Sequence, residues 1–524
     1  MVGQRLLLGA PPGAIGADAL ALLQKTGAMG LILFRSQVSD PQALPHQLAW
    51  LRERLGRPVV IAIDHEGGQV IRHLGCSTMW PGNYALGRAA QRDLSQAEGW
   101  AEQVGQAMGW ELRRLGIGWN LAPVLDVVGE EPNPGLGLRA FGNEGEVVAR
   151  LGVAMLKGLQ QAGIVACGKH FPGLGRARVD PHHELPRLDL TRSELENHWQ
   201  PFRAVIEAGL PAVMTTHVLV PALDEDNVIT LSRLAIQKYL RRELNFTGVC
   251  VSDDLDMGAM RGFGCMEEIT RKTLQAGHDI ALIGHVHQEP MTEIINMLLQ
   301  EELPEAAESL TRIAKITTQA DIAQVLPPTQ DWQPAELLAE AITQAAVRVV
   351  RDPQGWLPVQ LPVRLYLPDV TPVADWVLFE PCWFDANAMK NLLGIPTAEV
   401  ITTFLHEPTA LALDVPRVNQ DIVDIPGIPG HCPALGSQES GDENLTQSSD
   451  ECITNILLLY DAIRYPGQQQ ALTKLAQSGQ PLVVVIVRNP WDDQHIPQDI
   501  TVIDATGFRS PQLRQVGRLL RGLV

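Results

Sequence analysis

The feature that most constrains this chain is a repeated one: short apolar runs that stay apolar until their last positions, where polar side chains appear. They are MGLILF (29–34), VVIAID (59–64), IGWNLAP (117–123), IVACGKH (164–170), AVMTTH (212–217), GVCVSDD (248–254) and DIALIG (279–284). Nearly continuous apolar runs of this length are what strands of a parallel sheet, buried on both faces, require. Longer amphipathic segments lie between them, such as 231–244 with Thr230 as its expected N-cap, and these supply the crossover helices of repeated βα units. LLLGA (6–10) provides an early strand. The natural count is then eight, and the predicted fold is an N-terminal (β/α)8 barrel of the TIM type. In such a barrel the C-terminal strand ends converge on one rim, where the chemistry is found. Asp64, Asn120, Lys169, His170, His217, Asp253 and Asp254 stand at those ends.

The barrel is expected to occupy residues 1–325. Prolines in VLPPTQDWQP mark a linker at 326–335, because proline removes a donor and disfavours helix. A helix near 334–347 follows, with strand candidates VRLYL (363–367), WVLFE (376–380), NILLLY (455–460), LVVVIV (482–487) and ITVID (500–504). Residues 336–524 therefore predict a second, smaller α/β domain. Within it, 418–463 contain no Lys or Arg, and GSQESGDENLTQSSDE (436–451) is polar and low in complexity. A solvated, mobile loop is expected over 430–452.

Composition narrows the partners. Lys plus Arg is 41 against 60 for Asp plus Glu, a net charge of −19, and such a surface repels polyanions. Nucleic acid and anionic membrane are excluded as expected partners, and no apolar stretch approaches the roughly 20 residues needed to cross a bilayer. The first residues lack the pattern of a secretion signal. The seven cysteines include no CxxC pair, which fits a reducing compartment. The expectation is a soluble, cytoplasmic protein of unspecified oligomeric state.

Three clusters carry the candidate chemistry. In KHFPGLGRARVDPHHELP (169–186), Asp180 and His182 are two apart, and a turn can set that carboxylate against the imidazole to fix its tautomer and stabilise its cation. A solvated histidine-rich loop is the competing reading. In GVCVSDDLDM (248–257) the strand runs into Asp253, placed to act as base, metal ligand or nucleophile, while Asp254 and Asp256 suit a cap on the next helix. In VVIAIDHEGGQVIRH (59–73), Asp64 offers an acceptor pair for vicinal hydroxyls and Arg72 a forked donor. Arg139 is a further loop cation near the same rim. His182 with His183 and His285 with His287 form pairs, but no HExxH or Cys/His spacing accompanies them; no catalytic metal is expected. A Walker loop is missing as well, and GLGRAR lacks the setting of a dinucleotide site, so no cofactor is predicted.

Taken together, IAIDHEGGQVIR, KHFPGLGRARVDPHHELP and LRRELNFTGVCVSDDLDM resemble family 3 glycoside hydrolases of the bacterial β-N-acetylglucosaminidase branch. NLAPVLDV (120–127), RAFG (139–142) and MTTHV (214–218) extend the likeness across most of residues 1–320. LVVVIVRNPWDDQHIP and ATGFRSP resemble the C-terminal domain of two-domain members. The resemblance implies Asp253 as nucleophile, His182 as general acid/base on a loop, Asp180 as its assistant, and sugar-binding roles for Asp64, Arg72, Arg139, Lys169 and His170. It implies a retaining exo-β-N-acetylglucosaminidase working by double displacement on small glycosides such as muropeptides, without a cofactor. A phosphorylase or β-glucosidase of the same family, or a non-catalytic sugar-binding homologue, are the alternatives. Two positions depart from the family pattern: Leu174 stands where a loop histidine is common, and Pro181 separates Asp180 from His182.

Overall fold

The computed structural model describes residues 2–72, 77–129, 131, 133, 135–285, 288–300, 303, 305–321, 333–373, 380–403, 405 and 453–523. Eight parallel strands close into a barrel: β1 (Leu6–Gly9), β2 (Gly30–Leu33), β3 (Val60–Ile63), β4 (Trp119–Asn120), β5 (Val165–Phe171), β6 (Ala212–Thr215), β7 (Val249–Asp254) and β8 (Ile280–Ile283). Closure is made by β8 against β1, with Leu7 opposite Leu282. The alternation of side chains along each strand explains why the runs are apolar throughout. Leu7, Val60 and Ala62 point into the barrel, where they pack with Trp119, Cys167 and Met214. Leu6, Leu8, Ile61 and Ile63 point outward beneath the helices. Both faces are thus dry, and each fully buried Val, Leu or Ile contributes roughly 1.5–3 kcal/mol. Ile313, Ile316 and Ala320 of the helix Ala306–Ala320 belong to the same interior cluster and pack against the inward-facing strand residues.

A second sheet has the order β11 (Glu399–Thr403), β10 (Val363–Pro368), β12 (Thr454–Leu459), β13 (Leu482–Ile486), β14 (Thr501–Asp504), β9 (Arg348–Arg351). Its neighbours are parallel except β9, which runs antiparallel to β14. The molecule is thus a (β/α)8 barrel with a second α/β domain, as the alternation of runs predicts. The strand candidate at 376–380 lies outside the described residues except for Glu380, and the loop expected at 430–452 lies wholly outside them. Of the linker expected at 326–335, residues 333–335 are described, as the start of the helix Gln333–Ala346. That helix packs on the barrel helices Asn83–Ala90 and Leu94–Arg114. Leu138 of the barrel is buried in the core of the second domain.

Candidate active site

The rim is built from strand ends whose polar side chains find one another. Asp64 follows β3, and its Oδ1 accepts from Lys169 Nζ at 2.7 Å, while Arg72 Nη2 stands 3.5 Å from Oδ2. Lys169, near the end of β5, is itself buried and also reaches Glu66 Oε1 at 2.7 Å. Arg139 closes the ring by gripping Glu66 with two parallel bonds of 2.9 Å, from Nε to Oε2 and from Nη2 to Oε1. Buried charges persist only when paired and hydrogen-bonded, and here every member has an opposite partner. Burial alone would raise the Glu66 carboxyl and lower the Lys169 ammonium. The cations Arg139 and Lys169 instead hold Glu66 well below the usual carboxylate range, and Asp64 and Glu66 push Lys169 up. Asp64 is likewise held low by Lys169 and Arg72 against its own desolvation. All are ionised at neutral pH.

Behind this ring, His170 Nδ1 lies 2.7 Å from Asp126 Oδ2, and the other Asp126 oxygen accepts from the Leu174 backbone N–H at 2.6 Å. His170 Nε2 is 3.3 Å from Arg139 Nη2. Position 174 therefore serves through its backbone, and its leucine side chain is buried.

The loop after β5 carries the dyad. Asp180 Oδ1 accepts from the His182 backbone N–H at 3.0 Å and lies 2.6 Å from His182 Nδ1. Pro181, with no N–H to offer, leaves its carbonyl to accept from Ala259 N at 3.1 Å, and His182 O accepts from Gly258 N at 3.0 Å. These two bonds dock the loop onto the turn Gly258–Met260 that follows β7, the strand in which Asp253 stands. An added Cβ at Gly258 would lie 2.6 Å from both His182 O and His183 O, so the docking requires glycine. His182 is half exposed, Asp180 mostly covered. Burial would depress the His182 imidazolium, but the hydrogen bond and charge of Asp180, and the charge of Asp253, outweigh it and raise its pKa; Asp180 itself is held well below the carboxylate range by His182 despite desolvation.

Asp253 sits near the end of β7, half-buried, its Oδ1 accepting from Asp254 N at 2.9 Å. Ser252 Oγ accepts from Leu282 N at 3.0 Å and ties β7 to β8. Asp253 lies within electrostatic reach of His182 and of the fully buried His217. His217 Nε2 is 2.8 Å from the Asp254 carbonyl, which can only accept, so that nitrogen carries the proton. Burial holds His217 below its ordinary pKa and neutral. It props the backbone under Asp253.

All eight sequence candidates, Asp64, Arg72, Arg139, Lys169, His170, Asp180, His182 and Asp253, thus surround one rim. Three neighbours carried no assigned role: Glu66, Asp126 and His217. Glu66 lies within DHEGG and Asp126 within NLAPVLDV, but only their spatial partners reveal what they hold. Thr230 turns inward to His217 Nδ1 at 2.7 Å instead of capping a helix. The helix runs over Leu234–Glu243, and Ser232 Oγ accepts from Ala235 N. Asp254 and Asp256 are also not helix caps. Asp254 accepts from Gly284 N at 2.7 Å, with its carboxyl pushed up to about 6 by burial, and Asp256 pairs with His285 at 3.3 Å. Among the described residues no group of three or more His, Cys, Asp or Glu side chains is arranged to hold a metal ion.

A ring of paired charges that can grip hydroxyls, beside a carboxylate and a carboxylate-backed imidazole, suits displacement at a sugar carbon with proton transfer to oxygen. Comparison with known proteins agrees. Residues 6–352 match the model of the Glycosyl hydrolase family 3 N terminal domain. A beta-hexosaminidase of Chromobacterium violaceum is 35% identical over 329 residues, covering 63% of this chain and 89% of that protein. A family 3 beta-N-acetylglucosaminidase from Paenibacillus superposes with a TM-score of 0.82 at 27% identity, covering 100% of this chain and 96% of that one. NagZ from Neisseria gonorrhoeae superposes with a TM-score of 0.57 at 29% identity, covering 64% of this chain and 97% of that one.

Proposed function

The chain belongs to glycosyl hydrolase family 3, and from that premise we propose that it is a retaining exo-β-N-acetylglucosaminidase acting on terminal β-linked N-acetylglucosamine of small glycosides. The observation that carries the reading is the Asp180–His182 pair docked onto Gly258 and Ala259, just past the strand that bears Asp253, whose charge reaches His182. Relatives named beta-hexosaminidase and a beta-N-acetylglucosaminidase spanning the full length of the chain support the choice of sugar.

In the first step Asp253 attacks the anomeric carbon and forms a glycosyl ester, while His182 gives its proton to the departing oxygen. In the second, water attacks the same carbon from the opposite side, His182 takes the water proton, and the carboxylate leaves. Two inversions return the β configuration. An imidazolium suits the acid role beside an anionic nucleophile, since a second carboxylate there would be repelled. Asp64, Arg72, Arg139, Lys169 and His170 hold the sugar hydroxyls and its acetamido group. Muropeptides are the proposed natural substrates and the cytoplasm the proposed compartment, in keeping with the free thiols Cys167, Cys250, Cys265 and Cys382.

Initial rates on aryl β-N-acetylglucosaminide and aryl β-glucoside, each with and without phosphate, test the reading. The expected result is turnover of the N-acetylglucosaminide alone, yielding free sugar, and a loss on the order of a thousandfold or more for Asp253→Ala. Sugar 1-phosphate as product would identify a phosphorylase, a reading favoured by His182, an acid/base that carries no negative charge in either protonation state and so does not repel an anionic acceptor. Parental rates in Asp253→Ala would remove Asp253 from the chemistry.

A further inference from the structure

NagZ of Neisseria gonorrhoeae is covered to 97% by only 64% of this chain, which raises the question of what the second domain does here. The ends of β13 and β14 lie toward the barrel: Arg488, after β13, is within electrostatic reach of Asp180, and Asp504, at the end of β14, pairs with Arg88 of the barrel. The segment after β14 crosses to the barrel at two points. Arg509, fully buried, donates from Nε to Gly68 O at 2.7 Å and from Nη2 to Gln69 O at 3.5 Å. Gln512 Nε2 donates to Pro81 O at 3.1 Å.

Gly68 and Gln69 belong to the turn between Glu66 and Arg72. The turn is closed by Glu66 N to Val70 O at 2.9 Å and crosses the segment of Pro81 and Gly82 so closely that a Cβ on Gly68 would lie 2.9 Å from Gly82 Cα. Arg509 and Gln512 thus hold the two backbones that cross there. The guanidinium is itself rigidly mounted at the start of the helix Ser510–Leu520. The backbone N–H of Arg509 donates to Gln512 Oε1 at 3.0 Å, and Ser510 is fastened to Glu380 through N and Oγ at 2.7 and 2.5 Å. Burial pushes Arg509 down to about 10, so it stays charged at neutral pH. A second guanidinium of this domain, Arg488 after β13, is ion-paired with Asp461 and lies within electrostatic reach of Asp180.

We propose that the second domain is a template for the barrel's sugar-binding loop, and that Arg509 is a positioning residue which fixes the Gly67–Gln69 turn so that Glu66 and Arg72 meet Lys169, Arg139 and Asp64 in register. Glu66 is the residue through which the turn acts, because it pairs with both Lys169 and Arg139, and a shift of its backbone moves three charges together. The kinetic consequence rests on the proposed glycosidase reading; the structural one does not.

The full chain carrying Arg509→Gln, Arg509→Lys or Arg88→Ala tests it by two readouts. Arg88 makes a separate interdomain ion pair with Asp504 at 2.9 Å and serves as the control for a merely weakened interface. In Arg509→Gln, backbone amides of 66–70 are expected to exchange about tenfold faster or more, and KM for the aryl β-N-acetylglucosaminide to rise about tenfold with kcat within about threefold. Arg509→Lys, able to reach one carbonyl, falls between parent and Gln. Arg88→Ala lowers Tm but leaves loop exchange and KM parental. The proposal is overturned if Arg509→Gln leaves both readouts parental, or if Arg88→Ala moves them as far. If the parent hydrolyses no such glycoside, the functional reading fails, and amide exchange alone still decides the role of Arg509.

Discussion

Asp180 holds His182 by two hydrogen bonds, to the ring and to the backbone, and its charge keeps the imidazole protonated above the ordinary pKa of about 6.5. In the proposed mechanism the acid form of His182 starts the reaction, so the alkaline limb of the pH profile is expected to report that raised value. Asp180→Asn keeps an acceptor but removes the charge, so the pKa of His182 falls. The alkaline limb of kcat/KM then moves to lower pH, and activity at slightly alkaline pH drops roughly ten- to hundredfold. An unmoved limb would show that another group titrates. At this scale the sequence was informative where a polar residue ended an apolar run, as with Asp64, Lys169 and Asp253. It was silent on Glu66, whose purpose exists only between Lys169 and Arg139, which are 103 and 73 positions away.

The loop after β5 acts as one piece with the segment after β7, because backbone bonds from Gly258 and Ala259 carry His182 toward Asp253. Gly258→Ala places a Cβ against the carbonyls of His182 and His183. An exposed loop yields before a barrel does, so the account expects Tm close to the parent's. A displacement of about 1 Å lowers kcat on the order of a hundredfold, with KM little changed. Steady-state kinetics beside a thermal melt checks this, and a fall in Tm without a fall in kcat would contradict it. Elements with a strong period, the strands above all, were legible in the sequence. The start of the helix expected at 231 was not. Thr230 has the chemistry of a cap, but its hydroxyl is drawn to buried His217, and Ser232 takes over at the helix start. The run at 117–123 shrinks to Trp119–Asn120, since beyond it the chain bends and Asn120 turns its side chain to the backbone of His65.

Across the whole molecule, the contacts that join the two domains link residues far apart in the chain, such as Arg509 with Gly68 at a separation of 441. No period or motif encodes such a pairing, which is why the sequence predicted a second domain without a task for it. The barrel rim, by contrast, is the sum of local strand endings and was readable in advance. The central claim is that the carboxylate of Asp253 bonds to the sugar while His182 moves the proton. An N-acetylglucosaminyl fluoride bearing a second ring fluorine, which slows release of the ester, tests it most directly by intact-protein mass followed by peptide mapping. The account predicts one added glycosyl unit, located on Asp253 and missing from Asp253→Ala. Release of fluoride with no adduct, or an adduct on any other residue, would contradict it.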